Sequence, residues 1–184
     1  RLIDGEPLNS AITRYHQGGL PPAGLRTLLA AFVDACRAVA FANAAGIIHR
    51  DPKPSNIIID ARGRGIVTDW GTCKVVGDST FARGGAPAFS VSDEKTVAGA
   101  IFGTPAFMSP EQASGSLGSI DARTDVFVLG ATLFTILTGK GPWSTQSPGD
   151  PQATLVMIAK GHPPSPREVN PGVPGRLDAI CRKA

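Results

Sequence analysis

The sequence predicts an α+β fold that is mainly α-helical and carries one small β-hairpin. Three observations lead there. Leu25, Leu28, Leu29, Phe32, Cys36, Val39 and Ala40 recur at helical spacing, the period of a buried helix face. The run Val126–Gly139 carries no charge; its 14 residues are too few to span a bilayer and suit a buried helix. Between these two stretches, Ile57–Ile59 and Ile66–Thr68 are short β-branched runs around the turn-rich Asp60-Ala61-Arg62-Gly63-Arg64-Gly65.

Composition agrees with one folded domain. A chain of 184 residues and 19.0 kDa fits the length of a single domain. Surface scaling allows about 70% of the unfolded surface to be buried. Hydrophobic residues at 42% and charged residues at 18% exclude a disordered, highly charged chain. The net charge of +3 comes without a Lys/Arg block, so nothing argues for nucleic acid. Cys36, Cys73 and Cys181 are widely spaced and odd in number, with no Cys-x-x-Cys pair. That excludes a disulfide framework and a zinc cluster and suits a reduced, cytoplasmic setting.

Each element has its own signal. Pro21 and Pro22 precede the first long helix and Gly46 follows it, which bounds it at about 24–45. In the hairpin, pairing Ile57 with Thr68 sets Asn56 opposite Asp69. Residues 72–108 lack apolar periodicity, and so long a loop in a compact domain is normally functional. Helical patterning returns at 124–138 and near 152–160. Pro163, Pro164, Pro166, Pro171 and Pro174 mark an extended connection to a final helical fragment, Leu177–Ala184. No segment reads as a membrane span or a leader, and both ends look cut.

Chemistry concentrates at the hairpin. His49-Arg50-Asp51-Pro52-Lys53-Pro54-Ser55-Asn56 joins the long helix to it, and Asp69-Trp70-Gly71 leaves it. An amide oxygen and a carboxylate held side by side, Asn56 and Asp69, suit a hard cation such as Mg²⁺, which keeps phosphate oxygens in its shell. Asp51 is placed to accept a proton from an attacking hydroxyl. Lys53 is placed to set a positive charge near a transferring phosphoryl group. In isolation each residue has an ordinary reading: Asp51 as a turn cap, Asn56 as a turn residue, Lys53 as a solvated lysine.

These motifs resemble the eukaryotic-type protein kinases. His49–Asn56 is similar to the catalytic loop H-R-D-x-K-P-x-N, and Asp69-Trp70-Gly71 resembles the metal-binding D-F-G with Trp for Phe. Phe102–Glu111 resembles the substrate-receiving G-T-P-x-Y-M-A-P-E segment. Asp125–Gly130 and Leu137–Trp143 resemble D-V-x-S-L-G and L-T-G-x-x-P-F, which open and close the buried helix of the C-terminal lobe. Order and spacing match over essentially the whole chain. Asp-Trp-Gly and Pro110-Glu111-Gln112-Ala113 look most like the bacterial serine/threonine members.

The resemblance implies a protein-kinase-like fold, C-terminal lobe only, with residues 1–184 forming a partial catalytic domain. The glycine-rich loop, strand lysine and helix glutamate of the family's N-terminal lobe have no counterpart here. The implied activity is transfer of the γ-phosphoryl of ATP to Ser or Thr of a protein, with Mg²⁺. Asp51 is then the base, Lys53 the phosphate contact, and Asn56 and Asp69 the metal ligands. Ile3 sits where the family's hinge offers its backbone to adenine. Thr104 matches the threonine that bonds the catalytic aspartate and lysine. His49 is implied to pack against Trp70 rather than act as a base. Asp125 is expected to accept backbone N–H groups of the catalytic loop. The arginine that pairs with the family's A-P-E glutamate has no match, which leaves Glu111 without that partner. His16 and His162 are expected on the surface without partners, and the cysteines as small core residues.

Some readings stay open. Arg50 either braces the backbone around Asp51 or binds a phosphorylated residue, with Thr96 the first candidate and Ser90 and Ser92 behind it. Pro52 replaces the usual leucine, removes a donor and restricts Asp51 to extended angles, which threatens the loop geometry. Gly84-Gly85-Ala86-Pro87 reads as an insertion. Phe107 and Val128 replace Tyr and Ser in tolerable core positions. A pseudokinase or scaffold is the first rival, fed by Pro52 and the missing N-terminal lobe. A small-molecule phosphotransferase is the second, opposed by Lys53-Pro54 and the Gly103–Glu111 segment. Membrane attachment of a parent protein would lie outside this chain.

Overall fold

A computed structural model describes residues 3–18, 24–76, 105–144, 151–161 and 163–184. The expectations at Thr96, Ser90, Ser92, Thr104, His162 and Gly84–Pro87 lie outside the described residues.

The chain opens with a short strand, β1 (Gly5–Pro7), and passes at Pro7 into helix α1 (Leu8–His16). The long helix α2 (Gly24–Ala44) follows, close to the expected bounds. Gly46 ends it at φ 78°, a left-handed position open to glycine without strain. A short strand β2 (Ile47–Ile48) leads to the candidate catalytic loop. Next come β3 (Ile57–Asp60), β4 (Gly65–Val67) and β5 (Lys74–Val75). After the undescribed stretch, α3 (Pro110–Ala113), α4 (Ala122–Thr138), α5 (Pro151–Lys160), α6 (Pro166–Val169) and α7 (Gly175–Lys183) complete the chain.

The strands form more than one hairpin. Antiparallel β1–β3–β4 make a three-stranded sheet, and β2 pairs with β5 in a second, two-stranded one. The hairpin register differs from the sequence reading. Ile57 pairs with Val67, not Thr68, so Asn56 faces Thr68 and Asp69 lies one residue beyond. Turn chemistry is the reason. The Asp60 carboxylate accepts the N–H groups of Arg62 and Arg64 and the Arg64 guanidinium, while Gly63 sits at φ 77°. The loop therefore closes after three residues, Ala61-Arg62-Gly63, instead of four. Odd loop parity shifts the partner by one.

The core is built on α4. Residues Val128–Phe134 are all buried, and Val126 is the one exposed large apolar side chain of the helix. Asp121 caps its start by accepting the Arg123 N–H at 2.8 Å. Gly139 ends it at φ 76°. One apolar cluster joins α1, α2, the hairpin and α4 through Leu8, Ile12, Leu28, Val39, Ile57, Val67, Leu129 and Ile136. A second joins α4 to the C-terminal segment through Leu133, Leu137 and Val173, with Cys181 against it. The buried face of α2 lies on one side of the hairpin, and the candidate loop lies at the end that α4 supports. Among the described residues, no helix is long and apolar enough to cross a membrane.

Candidate active site

Residues 49–56 run from β2 to β3 and are held by buried polar groups. Asp125, in the first turn of α4, is fully buried. Its Oδ2 accepts the Asn43 side-chain N–H at 2.7 Å and the His49 backbone N–H at 2.9 Å. Its Oδ1 accepts the Arg50 backbone N–H at 2.7 Å. The expected anchoring of the loop by Asp125 is present. Arg50 adopts φ 73°, a left-handed conformation that costs a non-glycine residue energy and persists only where the surroundings hold it.

His49 packs as its motif implies. Its ring centroid lies 4.5 Å from that of Trp70, and Nε2 is 2.9 Å from the Thr68 carbonyl oxygen. The Asp51 N–H donates to Nδ1 at 3.3 Å. The Nε2–H tautomer satisfies both contacts. Trp70 lies against the main cluster and donates to the Val67 carbonyl at 3.1 Å.

Asp51, Lys53 and Asn56 are brought together. The Lys53 ammonium is 2.7 Å from Asp51 Oδ2, with both side chains partly buried. The Asn56 amide donates to the Asp51 carbonyl at 2.9 Å and to Asp51 Oδ2 at 3.1 Å. Pro52 does not disturb this arrangement. It is buried, and its carbonyl accepts the hydroxyl of fully buried Thr132 at 3.1 Å. Lys53 N–H closes a turn onto the Asp51 carbonyl.

Asp69 follows Thr68, the residue paired with Asn56. The Asn56 carbonyl accepts both the N–H and the hydroxyl of Thr68, at 2.8 and 3.1 Å. Asp69 then turns out of the strand direction at φ 59°, ψ 56°, with an exposed side chain. The donor set suits Mg²⁺. With its nitrogen committed to Asp51, Asn56 keeps Oδ1 as a hard oxygen donor, and Asp69 adds an exposed carboxylate. Among the described residues no three His, Cys, Asp or Glu converge.

Glu111, expected to lack its family arginine, accepts the Thr124 hydroxyl at 2.5 Å at the start of α4. One expectation changes. His16, although exposed, lies 3.0 Å from the Ile136 carbonyl through Nε2 and packs edge-on against Tyr15. Ile3 sits exposed just before β1, outside the strand pairing.

Three supporting residues escaped the sequence reading. Asn43 follows Val39 by one helical turn and was readable as a polar break in an apolar face. Thr132 is a hydroxyl inside an apolar run. Gln112 stands three residues after Ser109, the spacing of a capping box. Its Oε1 accepts the Ser109 N–H at 3.0 Å, and its amide donates to the Arg50 carbonyl at 2.9 Å.

Comparison with known proteins agrees with the motifs. The model of the protein kinase domain matches residues 2–171. The chain is 36% identical over 186 residues to serine/threonine-protein kinase PknB of Mycobacterium leprae, covering 99% of this chain and 26% of that protein. It is 35% identical over 188 residues to PknB of Mycobacterium tuberculosis, with the same coverage. It is 35% identical over 181 residues to the DNA damage-responsive serine/threonine-protein kinase RqkA of Deinococcus radiodurans, covering 98% of this chain and 23% of that protein. The chain thus spans about a quarter of the length of these curated relatives.

Proposed function

The chain belongs to the protein kinase domain family, and we propose that it is the C-terminal lobe of a protein serine/threonine kinase, residues 1–184 being a partial catalytic domain. The observation that carries this reading is the contact set among Asp51, Lys53 and Asn56 on a loop anchored by Asp125. The donor substrate is ATP and the acceptor a Ser or Thr hydroxyl of a protein.

Asp51 accepts the proton of the acceptor hydroxyl as its oxygen attacks the γ-phosphorus; the bond from that phosphorus to the β–γ bridging oxygen breaks, and ADP leaves with the bonding pair. Its carboxylate is aimed by two partners, the Lys53 ammonium and the Asn56 amide. Lys53 presents its charge to the γ-phosphoryl as negative charge redistributes over it. Asn56 and Asp69 would hold Mg²⁺, which when bound neutralises phosphate charge. Ile3 would offer its backbone to adenine, Thr104 would meet the acceptor side of the loop, and Arg50 would receive a phosphorylated residue near Thr96.

Phosphoryl transfer depends mainly on positioning and charge stabilisation. The chain alone therefore binds ATP weakly and turns over little, and a lobe that covers the triphosphate restores it. Joining the family's glycine-rich lobe to this chain and assaying phosphate transfer to a generic Ser/Thr peptide tests the reading. Activity that depends on Asp51 supports it; a chimera that binds ATP and peptide yet never transfers phosphate moves the assignment to a pseudokinase.

A further inference from the structure

Arg50 is the strained point of the catalytic loop, and its two peptide groups are held from different sides. The N–H side is held by Asp125 of α4. The carbonyl side is held by Gln112 of α3, whose amide donates to it at 2.9 Å. The other end of the Gln112 amide accepts the Ser109 N–H at 3.0 Å. Ser109 is fully buried and starts the α3 turn. One side chain therefore ties the start of α3 to the residue directly before Asp51.

We propose that Gln112 is a positioning residue: it holds the left-handed Arg50 peptide, and so the direction of Asp51, in step with the α3 segment. This rests on the reading of Asp51 as base. Without the Gln112 donor, the Arg50 carbonyl loses its only described partner in the segment, and a φ of 73° has one anchor in place of two. Relaxation at Arg50 rotates the peptide that leads into Asp51. A displacement of about 1 Å at a reacting group can cost on the order of 100-fold in rate. The geometry also makes the base sensitive to α3: if that turn shifts, the link breaks.

Two substitutions separate positioning from simple capping. Gln112→Glu keeps an acceptor for the Ser109 N–H, and Glu serves a capping box as well as Gln. It replaces the donor facing Arg50 with an oxygen. Gln112→Lys does the reverse, keeping a donor and removing the cap acceptor. In the full-length protein, kcat and KM for ATP, melting temperature, and hydrogen exchange of the 49–53 amides are measured for each. The expected result for Gln112→Glu is a kcat at least tenfold lower, an ATP KM within twofold of wild type, a melting temperature lowered by the loss of the donor to the Arg50 carbonyl, and faster exchange at 50–53. Gln112→Lys is expected to retain more kcat than Gln112→Glu despite a lower melting temperature. Wild-type kcat and exchange in Gln112→Glu would overturn the proposal, as would a Gln112→Glu protein that does not fold. A wild-type protein without kinase activity removes the reading of Asp51 as base, and the exchange comparison still decides whether Gln112 holds Arg50.

Discussion

The Lys53 ammonium lies 2.7 Å from Oδ2 of Asp51, and the same oxygen accepts the Asn56 amide at 3.1 Å. Only Pro52 separates Asp51 from Lys53, and the turn through it folds one back on the other. Removing the lysine frees the carboxylate to rotate and deletes the charge proposed to face the phosphoryl group. Lys53→Ala in the full-length protein is expected to lower kcat by about 10²–10³-fold, the scale for losing one stabilising donor. A steady-state phosphotransfer assay checks it.

Asp125 should behave as a structural keystone with a functional readout. Asp125→Ala strands three donors, from Asn43, His49 and Arg50. Each stranded buried donor costs about 1–3 kcal/mol. A loss of at least about 3 kcal/mol is expected in urea unfolding. A loss below about 1 kcal/mol would mean that water replaces the carboxylate.

Gly65 tests the packing of α2 on the sheet. A Cβ there would overlap the backbone carbonyl of Ala31, which is rigid helix rather than a movable side-chain end. Gly65→Ala is expected to destabilise the chain by about 1–3 kcal/mol through overpacking, read from the shift in denaturation midpoint.

The thiols predict the alkaline limb of stability. Burial pushes Cys36 up to about 11. Burial, with the Asp178 carboxylate adding to it, pushes Cys181 up to about 12. Folding therefore favours the neutral thiol at both sites. Their contribution is complete below about pH 9, the ordinary thiol range, and is lost as pH rises through 11 to 12, because the unfolded chain ionises first. The denaturation midpoint should fall across that window, less steeply in Cys181→Ala. Alkylation at pH 8 should be slower at both cysteines in the folded chain than in the unfolded chain.

How far the sequence could be read follows the range of the interactions. The bounds of α2 and α4 came from apolar period and glycine stops, which are local signals. The loop His49–Asn56 was legible because its residue types sit together in the chain. The hairpin register was not, because the parity of its turn depends on Asp60 accepting two backbone N–H groups, a side-chain choice that periodicity does not encode. The pairing of β1 with β3 and of β2 with β5 was missed for the same reason, since strands of two or three residues carry no pattern. The contacts of Glu111 with Thr124 and of Gln112 with Arg50 join residues distant in sequence or fold, and only the assembled helices bring them together.

Asp51 as the base is the central claim, and one comparison tests it most directly. Wild type and Asp51→Asn are prepared as full-length protein, matched for fold by melting temperature, and assayed for phosphate transfer from ATP to a Ser/Thr peptide. Asparagine preserves shape and keeps an acceptor for the Asn56 amide but takes no proton. The account predicts a kcat lower by about 10²–10⁴-fold, the usual scale of general base catalysis, with ATP binding retained. Equal turnover by the two proteins would contradict it.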